Sequence, residues 1–202
     1  ITNIISEIYR NVYSTQEYRN SVDKFMKECL YEPTEEIYER AEAFGFDEKR
    51  KHIALFLSPD EKNGDLEHLM QAARQSLNLQ PIIFTLIEND GVVVIYDLPE
   101  MSQPVHELLG NLRKNIETFY QIYHKKVTIS AGAGDSFYSI RDLKDSVTEA
   151  KHALNMLHMC KRTGQYRMYE EMGIYQLLFS IKDDSILKRI IEEQIGILQV
   201  YD

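Results

Sequence analysis

The sequence predicts an α/β (α+β) domain, a mixed five-stranded sheet covered by helices, with helical segments at both ends. Three observations carry that reading. Apolar residues recur at helical spacing near both ends, whereas short apolar runs bounded by turn residues alternate with helical patterns between 47 and 172. The run His52-Ile53-Ala54-Leu55-Phe56-Leu57-Ser58 has almost no polar alternation, which marks a strand covered on both faces. Glu88-Asn89-Asp90-Gly91 separates two further apolar runs, which is a hairpin signal.

Taken in order, Ile1, Ile4, Ile5, Ile8 and Val12 outline a first helix. Ser14-Thr15-Gln16-Glu17 is a capping-box pattern that starts a second, whose apolar face is Tyr18, Val22, Phe25, Met26, Cys29 and Leu30. Pro33-Thr34 breaks it, and Thr34 is the candidate cap of a short helix carrying Ile37, Tyr38, Ala41 and Phe44 and ending at Gly45. After the strand at 52–58, a helix at 65–77 turns Leu66, Leu69, Met70, Ala73 and Leu77 inward. Strands at 82–87 and 92–96 form the hairpin, and Pro104 opens a long helix through Leu108, Leu112, Ile116 and Tyr123. A strand at 127–133 ends in the small residues Ala131-Gly132-Ala133-Gly134, which let a helix pack closely against it. A helix at 141–158, a short strand at 166–169 and helices near Ile174 and at 185–200 complete the chain. The predicted division is a connecting helical segment at 1–46, the sheet domain at 47–172 and C-terminal helices at 173–202. Helical crossovers join parallel strands, and the hairpin supplies an antiparallel pair.

Bulk properties narrow the function. With 44% hydrophobic and 27% charged residues in 202, the chain is an ordinary globular one, not a disordered one. No apolar run is long enough to cross a bilayer, and the start lacks a signal-peptide pattern, so the expected location is cytoplasmic. The chain begins at Ile1 rather than Met, as an excised fragment would. A formal charge of −9 repels phosphate backbones, so nucleic acid is not an expected partner of this segment itself. Cys29 and Cys160 lie in helical patterns with no partner motif; buried free thiols are the expectation, a disulfide the alternative.

Several strings, in this order, resemble the middle domain of the CdaR/PucR family of transcription regulators, a GGDEF-like domain. They are Phe25-Met26-Lys27-Glu28-Cys29-Leu30, Arg40-Ala41-Glu42-Ala43-Phe44-Gly45-Phe46, the strand from His52 to Ser58, and Thr128-Ile129-Ser130-Ala131-Gly132-Ala133-Gly134. Asp142-Leu143-Lys144-Asp145-Ser146-Val147-Thr148-Glu149-Ala150 and Tyr169-Glu170-Glu171-Met172-Gly173-Ile174-Tyr175-Gln176-Leu177-Leu178 continue the likeness, which covers roughly 25–202. The resemblance implies a degenerate GGDEF, nucleotide-cyclase-like fold. It also implies a regulator of sugar diacid or purine utilisation that works as a homodimer. Such a regulator receives its signal from an upstream sensor region and contacts DNA only through a C-terminal helix-turn-helix beyond Asp202.

The same resemblance locates the chemistry that cyclase relatives need: two acidic residues holding Mg²⁺ beside a triphosphate. One belongs at the end of the first strand, where this chain has Ser58 followed by Pro59. The other belongs in the hairpin, where Asp90 remains but the paired glycines do not. No catalytic or cofactor-binding residue is therefore assigned, and the domain is expected not to be an enzyme. A remnant metal site from Asp60 and Asp90 is the alternative; solvated turns explain both residues more simply. His52, His68, His106, His124, His152 and His158 do not pair at i, i+4, and His158-Met159-Cys160 is only a weak metal hint, so they read as structural or surface residues. Asp145 and Glu149 read as a solvated charged face, and Ser146 as packing or hydrogen bonding within its helix. The expected function is a signal-transmitting or dimerisation module, in which an upstream change rotates or shifts the helix at 1–13 while the sheet acts as a rigid spacer. The alternative is a degenerate cyclase-like domain that binds a nucleotide or small acidic effector.

Overall fold

The computed structural model describes residues 16–61, 64–76, 82–98, 105–122 and 127–180. The helices expected at 1–13 and 185–200, and His124, lie outside them. Helix α1 (Gln16–Tyr31) follows the predicted capping sequence and buries Val22, Phe25, Met26, Cys29 and Leu30. The Thr34 hydroxyl accepts the Ile37 N–H at 3.4 Å and caps α2 (Glu35–Glu39), as its position after Pro33 predicts. A 3₁₀ turn (Glu42–Phe44) then stops at Gly45, whose φ of 91° is the left-handed conformation that glycine adopts without strain.

The sheet follows. Strand β1 (Lys51–Pro59) leads through α3 (Leu66–Ser76) to the hairpin of β2 (Ile82–Glu88) and β3 (Gly91–Leu98). Helix α4 (Val105–Ile122) leads to β4 (Ile129–Phe137), and α5 (Leu143–Met159) to the short β5 (Tyr166–Met168). A 3₁₀ turn (Tyr169–Met172) and α6 (Ile174–Ser180) come last. The strand order is β2-β3-β1-β4-β5, all neighbours antiparallel except β4 and β5. This is the mixed five-stranded sheet that the alternation of patterns predicts. Each helical crossover joins parallel strands, β1 and β2 flanking β3, β3 and β4 flanking β1.

Period-two alternation splits the core into two layers. Ala54, Phe56, Phe84, Leu86, Val93 and Ile95 face α1 and α5, and Ile53, Leu55, Leu57, Val92, Val94 and Tyr96 face α3 and α4. Burying each such large side chain contributes about 1.5–3 kcal/mol, which is why β1 can be apolar on both sides.

Three expectations need correction. Strand β4 does not end at Ala131–Gly134 but continues to Phe137. Gly132 and Gly134 lie directly beneath α5, where a Cβ would overlap the carbonyl oxygens of Ala150 and Ser146. The small residues thus admit the helix, as their composition predicts, without terminating the strand. Cys160 is exposed rather than buried, because it lies just past the last turn of α5; Cys29 is buried, and both thiols are free. Ser146 is packed in the interior, as one of its two expected readings has it, but its hydrogen bonds run to the sheet rather than within its own helix. Its Oγ donates to the Asp135 carbonyl at 2.7 Å and accepts the Ala54 N–H at 3.3 Å.

Candidate functional site

The expected site is where the C-terminal end of β1 meets the β2–β3 turn. Glu88 pairs with Gly91 across that turn, and Asn89 takes a φ of 44°, a conformation Asn tolerates better than most residues. Gly91 is required for the approach to β1: a Cβ there would lie 2.5 Å from the Leu57 carbonyl oxygen and 2.6 Å from Cζ of Phe56. The buried Ser58 hydroxyl donates to the Asp90 carbonyl at 2.7 Å and so fastens the turn to β1. At the position where the resemblance leads one to expect a carboxylate, the neutral Ser58 side chain is engaged in holding the backbone of the turn.

Beside it stands a charged group that periodicity alone did not single out. Glu88 is only 6% exposed. Its carboxylate accepts the Tyr31 hydroxyl from α1 and pairs with Lys151 Nζ of α5 at 2.5 Å; that ammonium also lies 5.5 Å from the centre of the Phe56 ring. The available signal was position: Glu88 shares a strand face with Phe84 and Leu86, both buried.

Asp60 turns the other way. Its side chain is 5% exposed; Oδ1 accepts the Ser130 hydroxyl at 2.6 Å and Oδ2 the Gly164 N–H at 2.8 Å, while His158 Nε2 lies 3.9 Å from Oδ1. These partners lie on β4 and ahead of β5, on the opposite side of β1 from the hairpin that carries Asp90. The two candidate remnant ligands are therefore held by different neighbours. Among the described residues, no group of three or more His, Cys, Asp and Glu side chains is disposed to hold a metal ion. Ser58 donates instead of coordinating, Asp60 has both oxygens engaged and Glu88 is already neutralised. This donor set does not fit a divalent ion bridging phosphates.

Residues 31–156 match the family described as a GGDEF-like domain. The chain belongs to that family. Among solved structures it is similar to that of the active GGEEF domain of a diguanylate cyclase from Vibrio cholerae. The TM-score is 0.44 and the identity 12%, covering 65% of this chain and 88% of that one. No curated protein matches.

Other titratable groups of this GGDEF-like domain are committed to structure. His52 is completely buried; its Nε2 lies 2.9 Å from the Asp47 carbonyl, its Nδ1 3.9 Å from Asp97 Oδ1, and its ring is 4.1 Å from that of Phe46. Asp97 in turn accepts Arg50 at 2.7 Å. His106 pairs with Glu171 at 2.9 Å, and His68 lies against Phe119 and Tyr120. Asp145 is exposed, but Glu149 is half-buried and accepts the Asp135 N–H at 2.8 Å; the charged face expected of the pair is thus only partly solvated. Burial pushes the Cys29 thiol up to about 12, which removes it as a nucleophile. A groove of about 770 Å³ opens near the start of β1, lined by Tyr38, Glu42, Asp47, Lys49 and Arg141 among others. Its Arg141 is already held by Glu35 at 2.5 Å and lies 4.9 Å from the centre of the Tyr38 ring. No helix among the described residues is long and apolar enough to cross a membrane.

A pH dependence follows from the histidines. Burial lowers the pKa of His52, outweighing the upward pull of the Asp47 carbonyl and the Asp97 carboxylate, and burial lowers that of His152. The folded chain takes up these two protons less readily than the unfolded chain, whose histidines titrate near pH ~6.5. Their contribution is complete at neutral pH and is lost as the pH falls through that window. Glu149, raised chiefly by burial, acts in the opposite sense nearer the carboxylate range. The urea midpoint is expected to fall between about pH 7.5 and about pH 5.5, and His52→Gln to make the fall shallower. A midpoint unchanged across that range would contradict the assignment.

Proposed function

We propose that this GGDEF-like domain is a catalytically silent, signal-transmitting and dimerising module of a cytoplasmic bacterial regulator of the CdaR/PucR type. In this reading an upstream region supplies the input, and a separate C-terminal helix-turn-helix contacts DNA. The observation that carries the reading is the Ser58–Asp90 hydrogen bond: the position that would hold a metal carboxylate is used to fasten the hairpin. The formal charge of −9 supports a division of labour in which another segment meets DNA. The ordered motifs from Phe25 to Leu178 support the regulator type.

Incubating the protein with nucleoside triphosphate and Mg²⁺ or Mn²⁺, followed by chromatography, is expected to give no cyclic dinucleotide. A cyclic product would overturn the silent reading. Sedimentation of the full-length regulator is expected to show a dimer; a monomer at every accessible concentration, with and without operator DNA, would remove the dimerising role.

A further inference from the structure

We propose that Tyr31 is a latch between α1 and the β2–β3 hairpin, so that displacing the C-terminal end of α1 is felt at the turn fastened to Ser58. The proposal deepens the relay reading above and rests on it for its biological purpose. It starts from an anomaly of burial. Asn89 and Asp90 at the hairpin tip are exposed, as turn residues usually are, yet Glu88 beside them is 6% exposed. Its carboxylate is met by two groups from different helices, the hydroxyl of Tyr31, a more than half-exposed side chain at the last residue of α1, and the ammonium of the partly exposed Lys151 in α5. The pair is buried on the carboxylate side and partly open on the Lys151 side. An ion pair withdrawn from water stabilises a fold little better than apolar residues of the same size, so stability alone does not explain this one. Fixing the relative position of three elements does.

The rest of the α1 contact is of another kind. Phe25 meets Phe84 with ring centres 5.8 Å apart, and Met26 and Leu30 are buried in the same apolar layer; such surfaces tolerate small sliding movements. The Tyr31 hydroxyl bond is directional and ends at the residue before the turn. From Glu88 the path is two residues of backbone to the Asp90 carbonyl, held by Ser58, and then Gly91 against Leu57 and Phe56. Latched, Glu88 stays dry between Tyr31 and Lys151. With the last turn of α1 withdrawn, the Glu88 carboxylate takes up water and the turn loses its tie to the helix layer.

Hydrogen exchange on the full chain tests this. Tyr31→Phe removes only the hydroxyl. Because a hydrogen bond to a charged group is lost, exchange of the amides at 89–92 is expected to accelerate roughly tenfold. Exchange in β4 should stay unchanged. In a Glu88→Met/Lys151→Met background, which exchanges the ion pair for apolar packing and should stay folded, Tyr31→Phe should have no effect on the hairpin. Three results would overturn the latch: unchanged hairpin exchange in Tyr31→Phe, equal acceleration in β4, or the same acceleration in the double-methionine background. A cyclic product from triphosphate would sink the silent relay and leave this exchange pattern standing. Flat hairpin exchange would do the reverse.

Discussion

Gly134→Ala is expected to destabilise the domain by about 3–5 kcal/mol, lowering the melting temperature by roughly 10 °C. Its new Cβ would overlap the Ser146 carbonyl oxygen and lie 2.7 Å from the Ser146 hydroxyl. A backbone oxygen cannot rotate away, so the first turns of α5 must lift from β4. Lifting them breaks the hydrogen bonds from Ser146 to the Asp135 carbonyl and from the Ala54 N–H to Ser146. Each such loss in a buried setting costs about 1–3 kcal/mol, against a total stability of about 5–15 kcal/mol. Gly110→Ala provides the contrast. Gly110 is inside α4, and a Cβ there would meet nothing closer than Tyr166 at 3.9 Å. That change is expected to stabilise by about 0.5–1 kcal/mol through helix propensity alone. Paired thermal melts decide; equal effects of the two substitutions would show that α5 is not seated on the glycines.

The second large effect is expected at Asp60. Asp60→Ala leaves the Gly164 N–H and the Ser130 hydroxyl without their acceptor in a nearly dry pocket, at a cost of about 2–4 kcal/mol. The sign discriminates between roles. A carboxylate kept for metal binding is repelled by its neighbours when no metal is present, and removing it would raise stability in chelator. A structural carboxylate gives the opposite. Urea denaturation of Asp60→Ala in chelator is expected to show a lower midpoint, and a raised one would restore Asp60 as a ligand candidate.

What the sequence revealed and what it hid divide along separation in the chain. The uninterrupted apolar run of β1, the Asn89-Asp90-Gly91 turn, the Thr34 cap and the stop at Gly45 are local signals, and each fell where its chemistry predicts. Gly132 and Gly134 were legible as a place for close packing, though not as the middle of a strand, because smallness alone does not say whether a helix lies above. The site was harder. That Ser58 stands where the resemblance expects an acid was legible, but the task that its hydroxyl performs was not. The Asp60–Gly164 bond spans 104 positions, the Ala54–Ser146 bond 92 and the Tyr31–Glu88 bond 57. Neither periodicity nor turn chemistry carries information over such intervals. Asp60 therefore reads from sequence as a solvated turn residue like Asp90, whereas only Asp90 is exposed and the Asp60 carboxylate is buried against β4 and Gly164.

The central place of β1 sets the order in which this protein can be made. Its partners β3 and β4 both emerge later from the ribosome, β4 after the whole of α4. Until Phe137 is synthesised, one side of an apolar strand presents bare amides and carbonyls to whatever else is nascent nearby. Most of its pairing is between distant segments, which makes folding slow relative to a helical chain of equal length. Polypeptides halted between Leu98 and Ile129 thus carry β1 paired on one edge and bare on the other, and shorter ones carry it bare on both.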